Sequence, residues 1–384
     1  MRLDQGSGSM AAVTPFDQKT RGICYSAATN ALYDAYRKKE DPQAKLSSAY
    51  HGALVSALDF LKSNAEGRPV VNADGGFPLA TLNILLKNGG CERSYFDTHR
   101  DLGKLEEQFQ SFLELKQRYD ASKITSRFSW VTPPPYTGLE WREGYERKLY
   151  ERINGEITLA KRTNATAVQC FQESVQAVSP EVPMVSRLQE QFVSATYEDL
   201  MKDLTSITCP SSSTTSSKPA EVTEMKVESP EILKLESEKD RRLKSAYTQV
   251  EMQAIYDEYY EKLSKFKQSP AGKDAQKTAM HVFVGDSLVK NGLPVVVSYC
   301  ATQVLSRFAN MGSADECGGH ASLVIGRTWD SARGKCRILV RNSWGDDPWL
   351  TYRQGVQTEG PNYWVDEDVL YSSKLLEGVS LRTR

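Results

Sequence analysis

The chain has 384 residues, with 48 Lys and Arg against 49 Asp and Glu and a net charge of −1. Such a balance gives no global field toward nucleic acid or an anionic membrane. No apolar run approaches the roughly 20 residues that cross a bilayer. With 40% hydrophobic and 25% charged residues, the composition is that of a globular protein of two domains, or of one domain with a large insertion.

In chain order, the first ten residues, "MRLDQGSGSM", read as a vector-derived tag over residues 1–9, with a Gly/Ser spacer before a second start at Met10. Such a scar is left out of fold reasoning and leaves the compartment open. The next part, residues 10–101, is helical. In "FDQKTRGICYSAATNALYDAY" a charged loop stops at Cys24, and Ala28, Leu32 and Ala35 then recur at spacings of three to four. That predicts a helix of about four turns. A cysteine at this junction has two readings. One is a buried structural thiol. The other is a nucleophile, because the open N–H groups and dipole at a helix N-terminus favour a thiolate. A second helical pattern follows in "LSSAYHGALVSALDFLKSN". In "NADGGFPLATLNILLKNGG", Gly75 and Gly76 break the chain, Pro78 starts a helix, and Gly89 and Gly90 stop it.

Residues 102–276 are rich in Lys, Glu, Gln and Tyr, in long helical patterns such as "DRRLKSAYTQVEMQAIYDEYYEKLSKF". They read as a helical insertion with a disordered, low-complexity loop near 209–230. The charge pattern is more often a solvated face than a partner site. From residue 277 the chain turns to strands: "PVVVSYC", "HASLVIG" and "CRILVRN" are short and rich in β-branched residues. A helical first half and a strand-rich last half predict an α+β fold, with an antiparallel sheet and a cleft between the halves.

Seven cysteines (Cys24, Cys91, Cys170, Cys209, Cys300, Cys317 and Cys336) include no CxxC pair, and four histidines show no metal-ligand spacing. No metal and no cofactor are expected. A thiol nucleophile needs a base, and the base needs an orienter. His320 stands directly before one apolar strand and Asn342 directly after another. Asn342 can accept the imidazole N–H and aim the other nitrogen at sulfur, with Trp344 over that bond. Gln18, six residues before Cys24, can share an oxyanion with the Cys24 N–H. Each residue alone has a plainer reading: a lone His is usually structural and an Asn at a strand end usually forms a turn.

Together these blocks resemble the papain-like cysteine peptidases. "QKTRGICYSA" is similar to the family's nucleophile segment, with Tyr25 in place of the usual Trp. "GGHASLVIG", "RNSWG", "DGGFPLATLNILLKNGG" and "GPNYWVDEDVL" resemble its later blocks, in order and over roughly half the chain, with a bacterial flavour. The resemblance implies a papain-like fold and thioacyl chemistry. Cys24 would be the nucleophile, paired at rest as thiolate with a His320 imidazolium. Asn342 would orient His320, Gln18 would donate to the oxyanion, and Trp344 would shield the His320–Asn342 bond. Gly75 and Gly76 would bind substrate backbone. Phe77, Pro78, Cys300 and Ala301 would surround a side-chain pocket with a hydrophobic preference, and Gly319 stands where many members carry Asp or Asn.

Two departures matter. A disulfide frequent in the family is replaced by Arg21 and Ala73. His320 follows Cys24 by 296 residues, against about 130–150 in the family, so the insertion is expected to be a lid, a docking arm or a partner-binding module. Cys170 and Cys209 within it are candidates to pair. The expected partners are a protein or peptide substrate and a protein bound by the insertion, with no nucleic acid. Export, to the outside or the periplasm, is slightly favoured over the cytoplasm. The alternatives are a catalytically weak papain-like scaffold, or a transpeptidase or deamidase using the same thioester.

Overall fold

The structure, a computed structural model, describes residues 1–63, 71–107, 109–110, 208–209, 211–307, 317–345, 351–373 and 375–383. The chain divides into two compact units. The first joins Met1–Ala53, Asp74–Arg93 and Thr215–Arg384, and the second comprises Leu54–Ala73 and Ser94–Thr214. The boundary expected at residue 276 is therefore corrected, since Thr215 onward belongs to the first unit. The helical patterns expected within 111–207, with Cys170, lie outside the described residues. In the second unit residues 102–107 are helical, and the Glu106 and Gln110 side chains accept the Ala73 and Val71 N–H groups at 2.6 and 2.7 Å.

The first three helices form where periodicity placed them: α1 (Cys24–Glu40), α2 (Ala49–Ser63) and α3 (Pro78–Asn88). Pro78 opens α3, and Gly89 ends it at φ 77°, a conformation only glycine adopts without strain. Basic Arg37, Lys38 and Lys39 fill the last turn of α1, where they complement the helix dipole. The helix α1 is buried on nearly every side, Leu32, Tyr33 and Ala35 completely, and it packs on α3 and on the sheet. Gly52 lets α2 approach closely, as a Cβ there would lie 2.3 Å from Asn30 Nδ2.

The long helical pattern after residue 240 is broken, giving α4 (Pro230–Leu243) and α5 (Gln249–Gln268). The cause is a capping box: the Thr248 hydroxyl accepts the Glu251 N–H while the Glu251 carboxylate accepts the Thr248 N–H, which starts a new helix there. Ser269 then caps α6 (Pro270–Asp286).

Seven strands make one sheet: β1 (Ala220–Glu224), β2 (Val295–Cys300), β3 (Gly319–Asp330), β4 (Lys335–Arg341), β5 (Gln357–Glu359), β6 (Asn362–Asp366) and β7 (Glu377–Thr383). Their order is β1-β7-β2-β3-β4-β6-β5, antiparallel throughout. The core lies where β2, β3 and β4 bury Val295, Val297, Val324, Ile338 and Val340.

Two further expectations are corrected. The loop expected to be disordered near 209–230 contains β1, which edges the sheet with Val222 opposite Leu381. Before it, the buried Thr215 hydroxyl bonds both the N–H and the C=O of Gly90 at 3.0 Å. An edge strand is held chiefly by main-chain bonds, so a Ser/Thr/Pro composition does not preclude one. The segment read as a tag is part of the fold. Leu3 N–H donates to Ile325 O at 2.8 Å, and Met10 N–H to Leu3 O at 2.9 Å. Leu3 and Met10 are fully buried. Gly8 is not a spacer but a close approach, since a Cβ there would sit 2.2 Å from Leu3 O.

Cys300 and Cys317 form a disulfide. Cys91 and Cys209 each take part in a disulfide, while Cys24 and Cys336 are free thiols.

Candidate active site

Cys24 is the first residue of α1. Its N-cap, Ile23, offers no side-chain hydrogen bond, so the first-turn N–H groups stay open toward the thiol. Burial pushes the Cys24 thiol up, and the nearby N–H groups of Ala321, Tyr25 and Cys24 itself oppose that rise.

The loop before α1 is held by side chains. Lys19 adopts φ 53°, and the Asp17 carboxylate accepts its N–H at 2.8 Å, the local bond that makes this backbone tolerable in a non-glycine residue. Gln18 is clamped at three points. Its N–H donates to Ser343 O at 2.8 Å, its Oε1 accepts the Ser343 hydroxyl at 2.6 Å, and its Nε2 donates to Arg21 O at 2.7 Å. An amide carries a second N–H, which remains available for an oxyanion.

Where the resemblance implied a lost disulfide, polar contacts join the two loops. Asp74 Oδ1 accepts from Arg21 Nε at 2.9 Å and from Gly22 N–H at 2.8 Å, and Gly75 N–H donates to Gly22 O at 2.9 Å. Gly75 sits at φ 83°. Gly76 lies against the Tyr25 ring, 2.5 Å from where a Cβ would be, so only glycine fits there.

His320 and Asn342 come from neighbouring strands. Leu323 of β3 faces Arg341 of β4, which leaves both residues at one end of the ladder. His320 Nε2 lies 2.9 Å from Asn342 Oδ1. The Ser343 N–H also donates to that oxygen at 2.9 Å, which fixes which end of the amide is oxygen. Nε2 must therefore carry the proton, and Nδ1 holds the lone pair. Trp344 stacks on the imidazole at 3.9 Å between centroids and 23° between planes, and Tyr299 meets it edge-on at 5.4 Å.

Gln18, Cys24, Gly75, Gly76, Phe77, Gly319, His320 and Trp344 all line one cavity of about 810 Å³. Asn342 lies behind His320 and does not line it. The expected pocket residues are partly corrected. Phe77, exposed at 64%, and Pro78 line the cavity, but Cys300 and Ala301 do not; Ser298, Leu375 and Glu377 do. Cys300 is tied back by its disulfide, and its N–H by the Ser373 hydroxyl at 2.7 Å. The sheet register explains the exchange: Ser298 pairs with Ala321 on one side and Glu377 on the other, so the three share a row. Sequence reasoning missed Ser343, Asp74 and Glu377. Ser343 and Asp74 each had a signal, their places inside the Asn-Ser-Trp-Gly block and at the head of the paired-glycine block.

The electrostatics depart from the resting ion pair. Burial pushes the His320 imidazole down to about 3, only partly opposed by Asn342, and pushes the Cys24 thiol up. Each group alone favours its neutral form. Moving the thiol proton to imidazole creates both charges at once, so their mutual attraction must offset the burial of both.

No family model matches the chain, and no curated protein matches it in sequence. Among solved structures the chain is similar to the bromelain protease from Ananas comosus in complex with the E64 inhibitor. The two are 12% identical, with a TM-score of 0.39, over 97% of this chain and 95% of that one.

Proposed function

We propose that the chain is a cysteine peptidase of the papain-like type. The observation that carries this reading is the meeting of Cys24, His320, Gln18 and Trp344 on one cavity, with Asn342 hydrogen-bonded behind His320. In this reading His320 Nδ1 takes the thiol proton as Cys24 Sγ attacks the substrate carbonyl carbon. The oxyanion is held by the Cys24 N–H and the free N–H of Gln18. The tetrahedral intermediate collapses to a thioester as His320 gives the proton to the leaving amine. Water then attacks the thioester with His320 as base, releasing the acid and restoring the thiol. Gly75 and Gly76 receive the substrate backbone as an added strand.

A second reading, a papain-like scaffold of weak activity, is favoured by the burial that keeps both Cys24 and His320 neutral. Limiting iodoacetamide at pH 5.5, with peptide mass mapping, separates the two. An ordinary thiol is only about 0.1% thiolate there, and Cys336, a second free thiol among the described residues, is the internal reference. The peptidase reading expects Cys24 to label at least about tenfold faster than Cys336, and His320→Ala to remove that difference. Equal labelling in the wild type, with no turnover of a fluorogenic peptide library, would establish the scaffold reading instead.

A further inference from the structure

Besides His320, four charged side chains are among the described residues lining the cavity: Lys19, Arg21, Asp74 and Glu377. Arg21 and Asp74 pair at 2.9 Å. Lys19 stands beside Asp17, whose carboxylate accepts its N–H. Glu377 differs from these. Its side chain is exposed, and among the described residues its carboxylate makes no ion pair and no hydrogen bond. Lys226 follows the end of β1 beside this part of β7, where the Met225 N–H bonds Gly378 O at 2.8 Å, but it does not line the cavity.

The sheet fixes where this charge stands. Glu377 pairs with Ser298, and Ser298 with Ala321, the residue after His320. In the order β7-β2-β3-β4 it lies two strands from His320, on the side away from β4. Beyond β4 lies Ser343, bonded to Gln18, so Glu377 and the Gln18 side of the cavity are on opposite sides of His320. Glu377 shares its side with apolar groups. Phe77 and Leu375 line the same cavity, 64% and 45% exposed, and Leu375 leans on Gly319, its Cδ1 3.5 Å from where a Cβ would stand.

An apolar wall joined to an unpaired carboxylate ranks the side chains it can take. A purely apolar side chain covers Phe77 and Leu375 but strips water from Glu377 and gives it no partner. A lysine or arginine lays its methylenes on the apolar wall and puts its charge on the carboxylate. Arginine adds a planar fork that matches a carboxylate and a face that stacks on Phe77. An acidic side chain meets a like charge.

We propose that Glu377 is a specificity-determining residue and that the substrates are peptides carrying Arg, and next to it Lys, two residues before the cut, in place of the hydrophobic preference expected from the sequence. This inference rests on the peptidase reading. There the substrate backbone runs along Gly75 and Gly76, and an added strand sends alternate side chains to opposite faces. With the carbonyl to be cut at Cys24, the side chain of the preceding residue is the one that meets Phe77 and Glu377. The competing explanation is that Glu377 is only a solvated surface acid and that Phe77 and Leu375 alone select.

The test compares kcat/KM for acetyl-Xaa-Gly-aminomethylcoumarin with Arg, Lys, Leu or Glu as Xaa. The wild type is expected to prefer Arg to Leu by about tenfold, the size of a hydrogen bond to a charged group, and to cleave the Glu peptide least. In Glu377→Gln the Arg-to-Leu ratio is expected to fall to about one, and in Glu377→Lys the Glu peptide should overtake the Arg peptide. A neutral surface role moves neither ratio. Salt at about 0.5 M should shrink the wild-type ratio several-fold through screening, a check that needs no variant at Glu377. Preference for Leu over Arg in the wild type, or an Arg-to-Leu ratio unchanged in Glu377→Gln, overturns the proposal. If the wild type cleaves none of the four, the peptidase reading falls. Glu377 is then decided by NMR titration of Cys24→Ala protein with acetyl-Arg-Gly-amide and acetyl-Leu-Gly-amide. A Kd about tenfold lower for the Arg peptide keeps the pocket assignment, and equal Kd values or no binding overturn it.

Discussion

The two walls of the cavity are built on opposite plans. On the helical wall Cys24 stands where backbone donors are left open, at a helix start whose N-cap, Ile23, supplies no side chain to fill them. On the sheet wall the groups around His320 are saturated: Asn342 Oδ1 receives His320, Ser343 and Ser322, and Trp344 covers the ring. In the proposed peptidase reading the difference follows from the two tasks. A nucleophile that becomes an anion needs donors with nothing else to bond. A base needs one tautomer and one orientation, which saturation provides.

The largest effects should come from removing either plan outright. Cys24→Ala is expected to lower kcat/KM on a peptide substrate by on the order of a thousandfold or more, and Asn342→Ala by roughly a hundredfold. Equal losses would show that orientation is worth as much as the nucleophile itself, and the contrast between the walls would dissolve. Residual turnover near wild type in Cys24→Ala would remove the helical wall from the chemistry.

A middle-sized effect tests burial on each side. His320 is pushed down to about 3 from 6.5, so the unfolded chain binds more protons between those values. The stability from its neutral form is complete above pH 6.5 and lost as pH falls toward 3, by up to roughly 5 kcal/mol. Asp34 in α1 runs the other way. Burial raises it to about 6 from 3.8, against the Ser47 N–H and Arg37, so its contribution is complete below pH 4 and is lost as pH rises through 6, by about 3 kcal/mol. His51, buried and pushed down to about 4, adds to the His320 trend and cancels between variants. Chemical denaturation at pH 4.5 and 7.5 should show a smaller gain with rising pH in His320→Gln than in wild type, and a larger one in Asp34→Asn. The reverse order in either variant would mean that burial does not govern that wall.

The smallest effect concerns the loop junction. Asp74→Ala removes an ion pair whose partners are 25% and 44% exposed, so it should cost no more than about 1 kcal/mol of stability. Its expected mark is a KM rise of about threefold, equivalent to well under 1 kcal/mol, as the loop carrying Gly75 and Gly76 loses its side-chain tie to Gly22 and keeps only the Gly75 N–H bond to Gly22 O. Unchanged KM would mean that these contacts only replace a staple and do not shape the substrate path.

How much of this was legible in the sequence varied with the range of the forces involved. The start of α1 at Cys24, both ends of α3 and the three central strands could be read because Pro78, Gly89 and the runs of β-branched residues act within a few positions. The break before α5 was also written locally, in Thr248 and Glu251, but the charge periodicity masked it. The first ten residues and the segment containing β1 were misread for a different reason. Their Gly, Ser and Pro content describes an isolated chain, while Ile325, Gly90 and Leu381, far away in sequence, supply the contacts that order them.

The sequence by itself determined which groups are present for the proposed chemistry and where each stands on its own element: Cys24 at a helix start, His320 and Asn342 at strand ends, Gly75 and Gly76 beside a helix. Only the tertiary structure decided what those groups are worth. The sheet register brought Glu377 rather than Cys300 into the cavity, Ser343 reached across to hold Gln18, and burial moved Cys24 and His320 toward their neutral forms. Helix ends and strand patterns depend on neighbours along the chain, whereas register, desolvation and hydrogen-bond direction depend on residues that only folding brings together.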